Sequence, residues 1–336
     1  MINFENVYLH SIAHIEPDRF ISSDDIEKEL SSLYNELKLP FGRIEMQTGI
    51  NTRGVFDLLP SEIATRAAQK LFVDNDFNPR KVDLLIHGSV CRDMLEPSTA
   101  SFIHQNLELK SECLSFDLSN ACLGVVSAIN TAGKMIDSGA IESALIVTGE
   151  NSKALLESTI KNLLKIKPNR KEIKKYFANF TIGSAGVALL LTNKKENAIA
   201  KINSSYNLSQ TKVAHLCRGN GDMNNLVMET DSETLMIEGI KLAKETVKDI
   251  ELASFDHFIC HQVGVMHRNY LYKELGMSLD KDHTTFDKYG NTGSAALPLT
   301  LSDAFHKNKF KKGDKVLLLG IGSGLHTSTM EMKWIN

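Results

Sequence analysis

The chain has 336 residues, of which 42% are hydrophobic and 24% charged, with a formal net charge of -3. That balance excludes disorder and argues against a nucleic-acid binder, which would carry a basic surface. The length suits one large domain or two closely packed halves with a substantial core.

The first residues, MINFENVYLHSIAHIEPDRF, contain acidic side chains and neither a basic n-region nor an uninterrupted apolar core. No signal peptide is expected from them. No run approaches the roughly 18 apolar residues that span a bilayer. The five cysteines, Cys91, Cys113, Cys122, Cys217 and Cys260, are odd in number and lack CxxC spacing. This fits reduced thiols in the cytoplasm better than a disulfide framework or a metal site, so a cytoplasmic thiol enzyme is permitted.

In chain order, residues 3–13 read as a strand, and Ser23-Asp-Asp-Ile-Glu begins a capped helix running to about Leu37. A loop-rich stretch holds Thr48-Gly-Ile50 and Arg53, and a helix follows from about Ser61 to Phe72. Val82–Ile86 is an apolar strand leading into His87-Gly-Ser-Val-Cys-Arg-Asp-Met-Leu-Glu96-Pro97, and a helix starts after the proline. Ser115–Leu118 is a short strand that passes through Ser119-Asn-Ala121 to Cys122. From Leu123 to Ile136, apolar residues at Val125, Val126, Ile129, Ala132 and Ile136 give helical spacing.

A cysteine at such a strand-to-helix turn lies near unpaired amides and the positive end of the helix dipole, both of which favour the nucleophilic thiolate. The competing reading is a buried structural cysteine, the usual fate of a free thiol. Local sequence leaves both readings standing.

Ala144–Glu150 is a strand, 151–180 is helical and basic, and Gly183-Ser-Ala-Gly186 leads into the strand Val187–Leu191. The order then repeats. Residues 199–206 form a strand, Glu233–Ile250 a helix and Phe255–Ile259 a strand. A helix then runs through about Leu275, followed by Ser294–His306, the strand Lys315–Leu319 and a last strand Thr327–Trp334. Val82-Asp-Leu-Leu-Ile-His-Gly matches Phe255-Asp-His-Phe-Ile-Cys-His in layout, and Ala144-Leu-Ile-Val-Thr-Gly matches Val316-Leu-Leu-Leu-Gly-Ile. Alternating strands and helices, duplicated, predict an α/β protein of two halves, 1–195 and 196–336.

Two further stretches carry chemical side chains. His261 in Cys260-His-Gln-Val-Gly264 sits at the carboxyl end of a strand, where open α/β sheets place ligands. Asn291 lies in the small-residue loop Lys288-Tyr-Gly-Asn-Thr-Gly-Ser-Ala-Ala296. Each alone is weak: such a histidine is more often a satisfied core residue, and Asn-Thr-Gly is an ordinary turn. His87, His104, His257 and His267 are read as structural.

Together, SNACLGVVSAI around Cys122, CHQVG at His261, YGNTGSAALPLTL at Asn291 and the terminal GIGSGLHTSTMEMKW occur in a family order. From about residue 3 to Trp334 the chain resembles ketoacyl-synthase III-type condensing enzymes of the thiolase superfamily. The likeness extends to Thr48-Gly-Ile50 with Arg53. It is nearest to the branch that condenses two acyl-CoA molecules head to head in long-chain olefin biosynthesis, on VCRDMLEPSTA with Glu96, NACLGV and GIGSGL. Gly183-Ser-Ala-Gly186 departs from the usual Gly-Asp-Gly-Ala. Residues 161–175 are also more basic than the family suggests. That stretch reads as a solvated helix face, or as a landing site for coenzyme A phosphates or an acidic carrier protein.

The resemblance implies a thiolase-like fold, two halves packed as a five-layer α-β-α-β-α sandwich. It implies an acyltransferase in which Cys122 takes the first acyl chain as a thioester. His261 and Asn291 would donate to the oxygen of the second donor, and the N–H groups of Cys122 and Ser323 would hold the oxygen of the thioester under attack. One such donor is worth about 3–4 kcal/mol. A malonyl donor loses carbon dioxide and needs no strong base, whereas a fatty acyl-CoA has only a weakly acidic α C–H and requires one. Glu96 is the implied base, reaching the neighbouring subunit of a homodimer whose seam lies near Ala144–Thr148. Its bland reading is a helix-start carboxylate. The expected substrates are acyl-CoA or acyl-carrier-protein thioesters, with no further cofactor and no metal. The expected reaction is non-decarboxylative Claisen condensation of two acyl-CoAs, the alternative being a decarboxylating synthase using malonyl-carrier protein.

Overall fold

Strands rich in Val, Ile, Leu and Ala with few charges are strands buried on both faces, so helices must cover them on either side. The computed structural model describes residues 1–220 and 226–336. In chain order its strands are β1 (Ile2–Asn3), β2 (Tyr8–Ile15), β3 (Arg19–Ser22), β4 (Thr52–Val55), β5 (Leu84–Gly88), β6 (Leu114–Leu118) and β7 (Ser143–Glu150). They continue with β8 (Ala185–Thr192), β9 (Ala200–Ser209), β10 (Cys217–Gly219), β11 (Met228–Thr230), β12 (His257–Cys260), β13 (Lys315–Gly322) and β14 (His326–Trp334).

The main sheet runs β12-β13-β14-β9-β2-β8-β7-β5-β6, with β1 alongside β9. Its two halves join where Tyr8 and Leu9 of β2 face Lys201 and Ala200 of β9, and where Ile2 and Asn3 of β1 face Ser205 and Ser204. The halves repeat one topology. β5 pairs in parallel with β7, and β12 with β13; β7 then meets β8 antiparallel, as β13 meets β14. Leu84 lies opposite Ala144 and His257 opposite Val316, which are equivalent positions in the two matched sequence segments.

Five layers follow from where alternate side chains point. On one outer face the helices Pro60–Asp74 and Thr99–Asn106 pack Ala64, Leu71 and Ile103 against Leu85, Leu145 and Val147. In the central layer the helices Gly124–Asp137 and Ala296–His306 bury Val125, Ile129, Leu297 and Leu301 between Leu84, Ile86 and Ile146 of one half and Val316, Leu318 and Met330 of the other. On the far face Ser232–Val247 and Val265–Leu275 set Ile240, Val247 and Leu271 against Phe258, Leu317 and Leu319. This is the α-β-α-β-α sandwich of a thiolase-like fold. Each buried Val, Ile or Leu of the central helices contributes about 1.5–3 kcal/mol, so that layer is among the most strongly held parts of the fold. Among the described residues no helix is long and apolar enough to cross a membrane.

Several local expectations change. Ser22, not Ser23, caps the first helix, its hydroxyl accepting the Asp25 N–H at 3.0 Å. Ser23 is buried, donating to the Ile50 carbonyl at 2.6 Å and accepting from Arg53 Nη2 at 2.7 Å. That helix breaks at Leu30 into Ser23–Glu29 and Ser31–Glu36. The stretch around Arg53 is ordered as the helix Arg43–Thr48 and β4, with Arg53 fully buried. The helix expected through 180 stops at Ile166, because Pro168 cannot continue it; a 3₁₀ segment, Ile173–Thr181, follows. In the basic stretch Arg170 donates to the carbonyls of Leu37 and Lys38 at 2.6 and 2.7 Å, closing the end of helix Ser31–Glu36. Lys167 and Lys175 face Glu36 and Glu229 as exposed pairs at 3.7 and 3.8 Å.

The dimer seam expected near Ala144–Thr148 has no support. β7 is an interior strand between β5 and β8, and every one of its residues is buried. The free edge on that side of the sheet is β6.

The nucleophile helix reaches its place through a glycine-to-glycine contact. A Cβ on Gly88 would lie 2.9 Å from the carbonyl carbon of Gly124, so backbone meets backbone where β5 ends and the helix begins. Gly88→Ala forces these elements apart and should lower unfolding stability by about 1–3 kcal/mol. Chemical denaturation reads this as a lower midpoint, and an unchanged midpoint would refute the contact.

Candidate active site

Cys122 sits where β6 hands over to the central helix. Ala121 adopts the left-handed conformation (φ 45°), Leu123 N–H donates to the Asn120 carbonyl at 2.9 Å, and Gly124 N–H donates to the Ala121 carbonyl at 3.2 Å. This tight turn presents Cys122 just ahead of the helix. Leu123 fills a notch in β13: a Cβ on Gly320 would come within 2.4 Å of its side chain, and one on Gly322 within 3.1 Å. The notch therefore sets the turn carrying Ser323, immediately after Gly322, against the Cys122 turn.

The thiol is not the resting thiolate that the helix start suggested. Burial, reinforced by the negative charge of Glu150 and then by Cys217, pushes Cys122 up to about 12. A helix terminus offers at most about 2 kcal/mol, and here desolvation outweighs it. Burial also raises Cys91, Cys113 and Cys260, so acidity does not single out the nucleophile. Cys122 differs from them in standing at the turn just ahead of a helix.

His261 follows the carboxyl end of β12 and is 8% exposed. Its loop rests on the Thr48–Ile50 segment: a Cβ on Gly264 (φ +145°) would lie 2.7 Å from the Thr48 carbonyl oxygen. Gln262 fixes the loop, donating to the Cys260 carbonyl at 2.7 Å and accepting the Thr285 N–H at 3.0 Å on the way to Asn291. The ring of His267 stands edge-on to His261 with centroids 6.1 Å apart. Burial, then the neighbouring His267, lowers His261 to about 3, and burial lowers His267 to about 4. Both imidazoles are neutral at working pH.

Asn291 is anchored through its backbone, donating to the Thr181 carbonyl at 2.8 Å and accepting Gly183 N–H at 2.9 Å. Its Oδ1 accepts Gly293 N–H at 3.1 Å, which occupies the acceptor and leaves the amide's donor end for a ligand. Gly183, the first residue of the divergent Gly-Ser-Ala-Gly stretch, is required here, since a Cβ would lie 1.8 Å from the Tyr289 carbonyl oxygen. Arg53 is a buried support beneath this loop, its Cβ 3.1 Å from where a Cβ on Gly290 would lie.

Glu96 stands apart from these residues. Asp93 accepts Ser61 N–H at 2.8 Å and its own N–H donates to Thr99 at 3.1 Å, while Asp117 caps the next helix through Thr99 and Ala100 N–H, both at 2.8 Å. These bonds pin the base of the loop and leave its tip projecting, with Met94 and Leu95 42% and 88% exposed beside an exposed Glu96. No hydrogen bond or ion pair joins Glu96 to Cys122, His261 or Asn291 within the chain.

The residue that sequence reasoning passed over is Glu150. It ends β7 and is 4% exposed, and its carboxylate accepts Val90 N–H at 2.8 Å, Cys91 N–H at 3.2 Å and Ser294 N–H at 3.3 Å. An acid closing an apolar strand was the available signal.

Residues 116–207 match the family of 3-oxoacyl-acyl-carrier-protein synthase III, and residues 246–334 match its C-terminal part. The chain belongs to that family. It is 34% identical to the acyl-CoA:acyl-CoA alkyltransferase of Xanthomonas campestris pv. campestris, over 98% of this chain and 99% of the relative. It is 30% identical to the enzyme of the same name from Shewanella oneidensis, over 99% and 100%. A β-ketoacyl-acyl-carrier-protein synthase III from Clostridium tetani is 26% identical, over 95% and 96%. A cerulenin-bound crystal structure of Xanthomonas OleA superposes with a TM-score of 0.94 at 34% identity, covering 99% of this chain and 98% of that one.

Within this synthase III chain the raised thiol has a measurable signature. Alkylation of Cys122 by iodoacetamide should climb about tenfold per pH unit, without a plateau up to pH of roughly 10, because the thiolate remains a minor species throughout. A rate that levels off near pH 8 would place the thiol's acidity in the ordinary range instead.

Proposed function

We propose that this acyltransferase joins two long-chain acyl-CoA thioesters by non-decarboxylative Claisen condensation, giving a β-ketoacyl-CoA and one free coenzyme A. The carrying observation is the 34% identity to an acyl-CoA:acyl-CoA alkyltransferase over 98% of this chain and 99% of the relative; the turn at Cys122, the buried neutral His261 and the free amide end of Asn291 support it. The decarboxylating synthases among its relatives are more distant, at 26% for the Clostridium tetani enzyme. Solved structures of Xanthomonas OleA include variants of a cysteine, a glutamate and a histidine, the residue types assigned here to Cys122, Glu96 and His261. The substrates are coenzyme A thioesters, and the chemistry draws on the chain's own side chains.

In the first half-reaction the Cys122 sulfur bonds to the acyl carbon, the bond to coenzyme A sulfur breaks, and the thiol proton leaves with coenzyme A. Exchange of one thioester for another changes no net charge, which suits a site that disfavours ions. In the second, a base removes the α-proton of another acyl-CoA. The negative charge passes to its thioester oxygen, where N–H donors of neutral His261 and Asn291 hold it. A neutral imidazole donates there without surrendering its proton, so the enolate is stabilised rather than quenched. The α-carbon then attacks the acyl-Cys122 carbonyl, whose oxygen is held by the N–H groups of Cys122 and Ser323. Collapse releases Cys122, which recovers a proton.

The base is Glu96 of the partner subunit. Each chain projects Glu96 on a tip with Met94 and Leu95, an arrangement that wants an apolar partner surface, and β6 offers an unpaired edge for a second copy. The chain is accordingly a cytoplasmic homodimer, and its halves divide after residue 195: the first supplies Cys122 and Glu96, the second His261, Asn291 and Ser323.

Incubation with one long-chain acyl-CoA and no malonyl donor should yield a product of the β-ketoacyl mass. If product forms only with a malonyl donor and carbon dioxide is released, the decarboxylating alternative replaces this one. Glu96→Gln should leave Cys122 acylation intact while condensation falls about 10²–10⁴-fold. A mixed dimer with Cys122→Ala subunits should regain up to one working site, and normal condensation by Glu96→Gln removes the glutamate from the mechanism.

A further inference from the structure

Glu150 is bonded to two loops that carry separate catalytic tasks in the reading above. Its carboxylate takes Val90 and Cys91 N–H at the root of the Glu96 loop, and Ser294 N–H three residues beyond Asn291. Gly293 approaches it closely enough that a Cβ there would lie 3.4 Å from the Glu150 carboxyl carbon. Ser294 also donates to the Gly88 carbonyl through its hydroxyl, at the point where Gly88 touches the start of the nucleophile helix. A single buried carboxylate therefore spans the end of β5, the base loop and the Asn291 loop. Three charge-assisted bonds to backbone amides form a stiff brace, since no side-chain rotamer on the partner side can relax them.

We infer that Glu150 is a positioning residue for the condensation step: it sets the spacing between the Asn291 loop and the Glu96 loop. Its negative charge adds to the burial that holds Cys122 as a thiol. The positioning role rests on the condensing reading above. Glu150 does not touch the reacting carbons, and Cys122, its turn and the Ser323 turn are held by the Leu123 notch, to which Glu150 makes no hydrogen bond. First acylation therefore depends on it little. Condensation depends on it strongly, because enolate donor and base must both be in place, and a displacement near 1 Å costs on the order of 10²-fold.

The test compares wild type with Glu150→Gln. The amide keeps the shape and accepts at one oxygen, but its NH₂ faces amide donors and its charge is gone. The titratable groups acting on Cys122 are Glu150 from β7 and Cys217 from β10, and Cys91 is the other thiol beside Glu150. Two readouts are expected in the variant. Condensation falls about 10–100-fold while acyl-Cys122 forms at near wild-type rate and accumulates. The alkylation profile of Cys122 moves to lower pH, a change that loosened packing without charge loss would not produce. Glu150→Ala, with a circular dichroism check of folding, should repeat the move of the profile. The inference is overturned if acylation and condensation fall in parallel, or if the alkylation profile stays put in either variant. Should wild type itself fail to condense two acyl-CoAs, the proposed reaction falls, and the alkylation profiles still decide on the role of Glu150's charge.

Discussion

Leu123 seated in the notch of Gly320 and Gly322 is the contact on which the site depends. It joins the first half of the molecule to the second one residue away from the nucleophile. A side chain at Gly320 would displace Leu123, since a Cβ there would lie 2.4 Å from it, and one at Gly322, at 3.1 Å, would crowd it. The Cys122 turn and the Ser323 turn are thereby held face to face by packing alone. In the proposed reaction the backbone N–H groups of Cys122 and Ser323, which come from different halves, would share one oxyanion. The Gly88–Gly124 contact performs the same service within the first half, letting the helix start directly over the end of β5. Small residues at these junctions bring backbone amides to the surface where charge develops.

The electrostatics of the site follow from its position inside the central layer. Burial keeps Cys122 a thiol and leaves His261 and His267 uncharged. A thiolate–imidazolium pair, the arrangement of many cysteine hydrolases, is disfavoured here from both sides. What remains is a set of neutral donors around a neutral nucleophile, with one fixed negative charge at Glu150. Such a site favours steps in which charge appears only transiently and only on an oxygen already facing a donor. Thioester exchange and enolate attack meet that condition.

Much of this was legible in the chain, for identifiable reasons. The strands were readable because they are continuous apolar runs, and the duplication because the segments that pair Leu84 with Ala144 and His257 with Val316 share one residue layout. The turn at Cys122 and the loop at Asn291 were visible as small-residue segments, and His261 by its place at the carboxyl end of a strand. The acidity of Cys122 was misjudged because local sequence displays the helix start but not the burial or Glu150, which is separated from it by the whole nucleophile helix. The seam was assigned near Ala144–Thr148 because pairing order is not written in any one strand; only the assembled sheet exposes β6 as the edge. Glu150 was visible as an acid closing an apolar strand, but its partners were unreadable for a related reason. Its partners are backbone amides 60, 59 and 144 residues away, and an amide N–H carries no sequence signal.

The duplicated topology also accounts for how labour is divided between the halves. Parallel pairing of β5 with β6 and β7, and of β12 with β13, points the carboxyl ends of these strands at the active site. In the first half those ends lead to the Glu96 loop after β5, to Cys122 after β6 and to Glu150 on β7. In the second they lead to His261 after β12 and to the Ser323 turn after β13. In the proposed reaction the covalent and charged functions come from the first copy, and the side-chain donors His261 and Asn291 from the second. Separation of this kind has a physical advantage. His261 is buried with the ring of His267 beside it, and Glu150 sits where three backbone amides satisfy it. A carboxylate placed beside His261 would pull its imidazole toward the cation and turn an enolate donor into a proton source that quenches the carbanion it is meant to hold.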